Sequence, residues 1–291
     1  MADKREIDEA TQTATTGHEW DGIKELDTPM PRWWLWTFYG TIVWGVIYVI
    51  LFPAWPLVSG ATPGLLGYSS RATVATEVEA ARAAHADLDA RINEVELPAI
   101  FEDPELLRFA TAGGGAVFRN HCSQCHGAGG QGAVGGFPNL LDDAWLWGGT
   151  VEDIHQTILH GIRYDPDPET RFSQMPAFGE ILPSEEIDGL VQYVLSLSGA
   201  PHDAEIAAAH EESYLNNCSA CHGEAGEGLY DLGAPSLADG IWLYGGDPDT
   251  IRYSIVNARY GIMPSFSLNN RLRPEEIRKV AVYVHSLGGG Y

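Results

Sequence analysis

The sequence predicts a mainly α-helical chain in which one N-terminal membrane-spanning helix precedes two similar helical domains in tandem. An uncharged apolar run lies near the N-terminus, and several blocks of sequence occur twice, in the same order, in the rest of the chain. Apolar residues at three-and-four spacing indicate that these blocks are largely helical. We therefore expect a tail at 1–30, a membrane anchor at 31–56, a linker or tether at 57–104, and domains at 105–200 and 201–291.

The predicted anchor rests on the uncharged residues 33–52. Twenty helical residues at ~1.5 Å each span about 30 Å, the thickness of a bilayer core. Tryptophans crowd one end and Trp55 follows the other, as in the aromatic belts at membrane interfaces. A buried core helix is the alternative. A cleaved signal peptide is disfavoured because the preceding residues are net acidic and the run is too long. Basic residues are more frequent before the helix than after it, which places the N-terminus inside.

The amino-acid composition indicates which classes of partner the chain can bind. The 291 residues include 40 acids and 17 bases, a net charge of −23, which argues against nucleic acid because phosphates would repel the chain. Such charge suits a soluble surface or attraction to a cationic partner protein. The middle third is the most acidic, so we expect any steered partner to approach there, near Asp165, Asp167 and Glu169. The four cysteines form two close pairs, which leaves none for a separate disulfide framework.

The internal repeat begins at F-R-N-H-C-S-Q-C-H-G (118–127), which returns as Y-L-N-N-C-S-A-C-H-G (214–223). Two copies are too few for a solenoid, so they indicate tandem domains. Each copy should end in a helix whose apolar residues share one face. These are Ile187, Leu190, Val191, Val194 and Leu197 in the first copy, and Ile277, Val280, Val284 and Leu287 in the second. We expect Phe118 and Tyr214 to pack the leading helices on these last helices, with Tyr193 and Tyr283 as counterparts. The glycines at 113–115 indicate a loop or a close contact.

The motif C-x-x-C-H occurs once in each copy, as Cys122, Cys125 and His126, and as Cys218, Cys221 and His222. It is the attachment signature of c-type haem. Two thiols three residues apart lie on one side of a helical turn and can add to the two vinyl groups of one porphyrin, while the next histidine reaches the iron. The alternatives are a closed zinc site built from both pairs, and a thioredoxin-like redox pair, which would need alternating strands and helices.

The second axial ligand is predicted by subtraction. Of four methionines, one starts the chain and one borders the anchor, which leaves Met175 and Met263, one per copy and each followed by proline. A thioether opposite histidine is a known haem ligation that raises the reduction potential. His155, His160 and His285 are alternative ligands, but none has a counterpart in the other copy. With both axial positions filled, a haem carries one electron and has no open site, so we predict no catalytic residues and no enzyme activity for the chain alone.

Residues 105–291 resemble two class I cytochrome c domains, which carry covalent haem c in a mainly helical fold. The resemblance implies that a proline carbonyl after each motif accepts a hydrogen bond from the ligating histidine. Pro138 and Pro235 occupy that place.

The whole chain resembles the dihaem FixP/CcoP family, subunit III of cbb3-type cytochrome c oxidases. The segment D-T-P-M-P-R-W-W-L-W-T-F-Y (27–39), one anchor and two C-x-x-C-H domains carry the resemblance. It implies a single-pass protein of the bacterial inner membrane with its haem domains in the periplasm. Electrons would come from quinol–cytochrome c reductase or a soluble or membrane cytochrome c. They would pass through a monohaem cytochrome c subunit to the haem–copper catalytic subunit of aerobic respiration. Some relatives have two anchor helices, whereas this chain has one.

Three other functions have weaker support. A dihaem electron acceptor for a membrane dehydrogenase would share the haem motifs but not the 27–39 segment. A dihaem peroxidase needs one haem with an exchangeable face, which Met175 and Met263 argue against. A haem-based sensor needs an output module, and the sequence has no candidate beyond the short N-terminal tail.

Overall fold

The structure, a computed structural model, describes residues 6–291 and divides them into two compact units. The described part of the first unit is 6–83, and the second unit is Ala84–Tyr291. Most of the regular structure is helical, as the sequence predicts.

The first unit contains the predicted anchor. An antiparallel hairpin of Thr15–Trp20 (β1) and Ile23–Leu26 (β2) precedes the helix Arg32–Leu51 (α1), and a second short hairpin, Pro56–Leu57 (β3) with Gly60–Ala61 (β4), follows it. Apart from Arg32, Thr37 and Thr41, the side chains of α1 are apolar or aromatic, and none is buried. An exposed apolar surface of this length is unfavourable in water, and α1 is long enough to cross a bilayer. The helix lies within the predicted anchor.

The remaining helices are Ser70–Glu94 (α2), Ala99–Glu102 (α3), Pro104–His121 (α4), Ser123–His126 (α5), Val151–His160 (α6), Ser184–Leu197 (α7), Ala204–Ala209 (α8), Glu211–Asn217 (α9), Ser219–His222 (α10), Pro248–Asn257 (α11) and Pro274–His285 (α12). Short 3-10 turns occur at Phe178–Glu180, Tyr230–Leu232 and Leu268–Asn270. Side-chain caps set several of the starts: Asp103 before α4, Thr150 before α6 and Asp247 before α11 each accept a hydrogen bond from a backbone N–H of the first turn.

The end of the predicted linker is part of the folded second unit. Ile92 and Ile100 have no exposed surface and Leu97 is 6% exposed, all in one core with α4. The prediction of a tether across 57–104 therefore placed the start of the folded region too late. Although this segment is rich in alanine and charged residues, its three apolar residues Ile92, Leu97 and Ile100 pack into the core and hold it against the rest of the second unit.

The second unit has two hydrophobic cores, and each joins helices from both sequence repeats. The first core packs α12, the last helix of the second repeat, on α4 and α6 of the first repeat. The second core packs α7, the last helix of the first repeat, on α8, α9 and α11 of the second. Accordingly Phe118 contacts Tyr283, with ring centroids 5.5 Å apart, and Tyr214 contacts Tyr193 at 4.9 Å. The leading helices pack on last helices as predicted, but on those of the other repeat.

Complementary residue sizes explain this crossed helix pairing. Gly114 of α4 lies against the backbone of Lys279 in α12, and Gly189 of α7 lies against the ring of His210 before α9. When the repeats are aligned, Gly114 corresponds to His210 and Gly189 to Lys279. Pairing within each repeat would set two glycines against each other in one core and a histidine against a lysine in the other. The crossed helix pairing avoids both a void and an overlap.

Lys279 adds a specific electrostatic contact to the first core. The side chain is 7% exposed, its ammonium group forms an ion pair with Asp89, and it lies 4.2 Å from the centroid of the Phe109 ring. A buried cation needs such partners because desolvation would otherwise disfavour it. Asp89 therefore helps to select α12 over α7 as the partner of α4.

Replacement of Gly114 with alanine should destabilise the chain by about 2–3 kcal/mol, because the new Cβ would overlap the Lys279 carbonyl group and lie 2.7 Å from Tyr283 Cβ. The neighbouring variant G113A is the matched control. Its Cβ would contact only the aliphatic part of the Lys279 side chain, at 3.0 Å, and the gain in helix propensity should keep the change within about 1 kcal/mol. Urea unfolding in detergent, followed by circular dichroism, measures both. Equal stabilities for the two variants would contradict the close helix crossing.

Candidate functional site

The two C-x-x-C-H motifs adopt the same local structure. Cys122 ends α4 and the turn α5 follows, with hydrogen bonds of 3.1 Å from Cys125 N–H and 2.9 Å from His126 N–H to the Cys122 carbonyl oxygen. In the second motif the corresponding bonds to the Cys218 carbonyl oxygen are 3.1 and 3.0 Å. All four cysteines are free thiols. Both pairs are thus held on a tight helical turn, in the arrangement that two vinyl additions to one porphyrin need.

Each motif histidine is fixed by a proline carbonyl. Nδ1 of His126 lies 3.1 Å from the Pro138 carbonyl oxygen, and Nδ1 of His222 lies 2.9 Å from that of Pro235. A carbonyl only accepts, so Nδ1 carries the proton and Nε2 keeps a free lone pair, the form that binds a metal. Burial lowers the pKa of both imidazoles, which keeps them neutral. The two proline contacts implied by the cytochrome c resemblance are confirmed.

Both motifs open into one continuous cavity of about 780 Å³ in the second unit. Its wall includes all the residues predicted to hold haem, which are Cys122, Cys125, His126, Met175, Cys218, Cys221, His222 and Met263. Thiols, neutral imidazoles and thioethers are the donors that covalent haem c requires, so the residues present fit this group. Among the described residues there is no cluster of three or more Cys, His, Asp or Glu side chains that could hold a metal ion. The zinc alternative thus lacks a ligand set in residues 6–291.

The crossed helix pairing places each methionine against the same core as the first cysteine of the other repeat's motif. Met263 and Ile162 exchange two backbone hydrogen bonds, of 2.9 and 3.0 Å, so the Met263 segment is fixed directly after α6. Met263 packs in the first core with Cys122, whereas Met175 packs in the second core with Cys218. Sequence spacing, which counts each methionine from the histidine of its own repeat, does not indicate this exchange.

The alternative histidines lie elsewhere. His155, His160 and His285 are absent from the cavity wall. Burial lowers the pKa of His155 to about 4, His160 contacts Asp167 at 3.3 Å and Glu169 at 3.1 Å, and His285 packs on Phe101. The contacts of His160 and His285 give these two residues a structural role.

The acidic side chains expected to meet a partner are not all available. Asp167 is 4% exposed and contacts His160, so it belongs to the interior of its loop. The predicted docking role of this residue is wrong. In a sequence, a short acidic run is typical of a solvated surface. Nothing in the sequence indicated that Asp167 contacts His160, seven residues earlier.

Two arginines in the cavity wall were not predicted. Arg163 and Arg259 line the cavity together with the aromatic residues Tyr244 and Tyr260. A signal was present in the sequence, because the dipeptide Arg-Tyr follows the middle helix of each repeat, at 163–164 and 259–260. The repeated tryptophans Trp145 and Trp242 pack against the first and second cores, respectively, and Trp242 also lines the cavity.

Comparison with known proteins finds matches that cover nearly the whole chain. Residues 12–59 match the family described as the N-terminal domain of cytochrome oxidase-cbb3, FixP. Residues 109–194 and 205–284 each match the family described as cytochrome C oxidase, cbb3-type, subunit III. The chain is 55% identical to the cbb3-type cytochrome c oxidase subunit CcoP of Cereibacter sphaeroides over 95% of each chain. It is 45% identical to subunit FixP of Rhizobium meliloti over the full length of both.

Proposed function

The chain belongs to the FixP/CcoP family of cbb3-type cytochrome c oxidase subunits, and from this premise we propose that it carries two covalent haem c groups that pass electrons into the oxidase. The observation that carries the proposal is the shared cavity, in which two C-x-x-C-H turns, two proline-fixed histidines and two methionines converge. Haem c supplies a one-electron iron couple. The first haem is the one attached at Cys122 and Cys125, and the second is attached at Cys218 and Cys221.

The ligands of each iron come from both repeats. His126 and Met263 would hold the first haem, while His222 and Met175 would hold the second. The packing of Met263 with Cys122 and of Met175 with Cys218 supports this exchange. With a histidine and a methionine for each haem, neither haem would keep an open site for oxygen or peroxide, which favours an electron carrier over a dihaem peroxidase. The chain has no catalytic residue of its own and acts within the oxidase complex.

The membrane position and the partners follow from the family and the anchor. Helix α1 holds the protein in the bacterial inner membrane, and the basic residues before it favour a cytoplasmic N-terminus with the haem domains in the periplasm. The donor is quinol–cytochrome c reductase or a soluble or membrane cytochrome c. The acceptors are the monohaem cytochrome c subunit and, beyond it, the haem–copper catalytic subunit. One cavity contains both haem sites, which supports electron transfer between the two haems.

Haem counting tests the proposal directly. We expect the purified chain to exceed its polypeptide mass by two haems, and the variants C122A/C125A and C218A/C221A each to lose one. Intact-mass spectrometry and a pyridine haemochrome assay measure the number and the covalent bond. The variant S123A, altered between the two cysteines of the first motif, should keep both haems. A wild-type chain with no added mass, or with zinc in place of iron, would refute the assignment.

Copurification tests the partners. Detergent extracts of native membranes should yield the chain together with the spectra of a haem–copper oxidase. Isolation with a dehydrogenase, and without those spectra, would favour the dehydrogenase alternative.

A further inference from the structure

The arginine pair, Arg163 and Arg259, lines the cavity and has no acidic partner. Neither forms an ion pair with a carboxylate among residues 6–291, although the chain carries 40 acids. Ion pairs with acidic side chains are formed by Arg91, Arg171, Arg252 and Arg273. The arginine pair therefore places two positive charges in the cavity wall without balancing them from the protein.

Arg163 is held between the two methionine segments. Its Nε donates to the Gly261 carbonyl oxygen at 2.8 Å, and a terminal nitrogen donates to the Ser173 carbonyl oxygen at 2.7 Å. These carbonyls lie two residues before Met263 and Met175, respectively. Two of the five guanidinium N–H groups are used in this way, so three remain for a ligand.

Arg259 is fixed in a similar manner. Its Nε donates to Ser254 Oγ at 3.0 Å, and one terminal nitrogen donates to the Thr250 carbonyl oxygen at 2.9 Å and to Ser254 Oγ at 2.6 Å. The other terminal nitrogen has both of its N–H groups left. The carbon at the centre of the guanidinium lies 4.6 Å from the centroid of the Tyr244 ring, which holds the plane in position.

The surroundings of the arginine pair favour an anion. Burial lowers the pKa of Arg163, which shows that its charge is partly removed from water. A cation in this position is stabilised when a carboxylate or phosphate arrives with matching geometry. Of the groups that the cavity is proposed to hold, haem carries two such anions, its propionate side chains.

Resting on the proposed presence of haem, we propose that the arginine pair binds haem propionate carboxylates, and that Arg163 joins them to both methionine segments. Arg163 is then a positioning residue for both irons as well as a propionate ligand. Its positive charge also favours the reduced state of each haem, because reduction removes one positive charge from the iron. Loss of this charge should lower both reduction potentials.

The test uses the full-length holoprotein with the variants R163Q, R163K and R259Q. We expect R163Q to lower the equilibrium constant for reduction of both haems by on the order of tenfold, which is about 59 mV for one electron. R163K keeps the charge and should retain most of the potential. In resonance Raman spectra, the propionate bending band should shift in R163Q and R259Q. Should R163Q fail to accumulate, R259Q and R163K give the same Raman readout.

The matched control is R252Q, on the same helix as Ser254. Arg252 is paired with Asp188 at 2.6 Å and is absent from the cavity wall. It removes the same net charge and should leave the potentials and the Raman band unchanged. Equal potentials and unshifted bands in R163Q, R259Q and R252Q, at normal haem content, would overturn the propionate assignment. A wild-type chain without covalent haem would instead refute the proposed function.

Discussion

Replacement of Met263 with histidine should change the first haem, although Met263 lies in the second repeat. The new imidazole would give the iron at His126 two nitrogen ligands in place of nitrogen and sulfur. Because a thioether raises the potential relative to a second imidazole, we expect a fall on the order of 0.2 V, within the about 0.8 V that axial ligands control. M263H is best titrated in a chain that also carries C218A/C221A, so that only the first haem absorbs.

The variant M175H in the same single-haem background is the matched control. Met175 packs with Cys218 in the second core, so the first haem should keep its potential and its methionine-to-iron charge-transfer band. The reverse experiment, with C122A/C125A, should make M175H the sensitive variant. If M175H rather than M263H lowers the potential of the first haem, ligation occurs within each repeat and the crossed assignment is wrong.

A chain that ends at residue 200 should fail to form the first haem site. It would lack α12, whose Ile277, Val280, Ala281, Val282 and Val284 are all at most 5% exposed. Burial of each large aliphatic side chain contributes about 1.5–3 kcal/mol, so their combined loss is comparable with the 5–15 kcal/mol that usually stabilises a domain. Immunoblots of membranes, stained also for covalent haem, should show a strongly reduced chain without methionine-ligated spectra.

Cleavage at the repeat junction controls for the truncation. A protease site inserted between Ala200 and Pro201, beside exposed residues, would cut the folded chain without removing α12. Because each core contains helices from both sides of the cut, the two fragments should copurify with both haems. A truncated chain that accumulates with low-spin, methionine-ligated haem would contradict the crossed helix pairing.

Local features of the site could be predicted from sequence because neighbouring residues determine them. The length of α1, the two C-x-x-C-H turns and the proline contacts of His126 and His222 each depend on residues close in the chain. The partner of each last helix could not be predicted from periodicity, since α7 and α12 share one apolar pattern. Which last helix each leading helix packs on depends on single positions: Gly114 lies against Lys279, and Gly189 lies against His210. These pairs become visible only when the two repeats are aligned and the packing of each helix on the other repeat is considered.

Net charge was the least reliable sequence feature for predicting where individual side chains lie. A negative total predicts an acidic surface but gives no position for individual side chains, and Asp167 proved to be buried. Conversely, the negative net charge gives no indication of the two arginines in the cavity wall, Arg163 and Arg259. Their Arg-Tyr repeat was visible in the sequence, but a dipeptide is too short to indicate a ligand without the cavity.

The crossed helix pairing also sets an order of events during biogenesis. The first C-x-x-C-H motif leaves the ribosome long before Met263 and α12 exist, so its pocket stays open until those residues have been synthesised. Contacts between such distant residues form slowly because a long loop must close first. If the proposed function holds, haem attachment would therefore meet a flexible polypeptide at the first motif, and the nascent first repeat would depend on protection from proteases until translation ends.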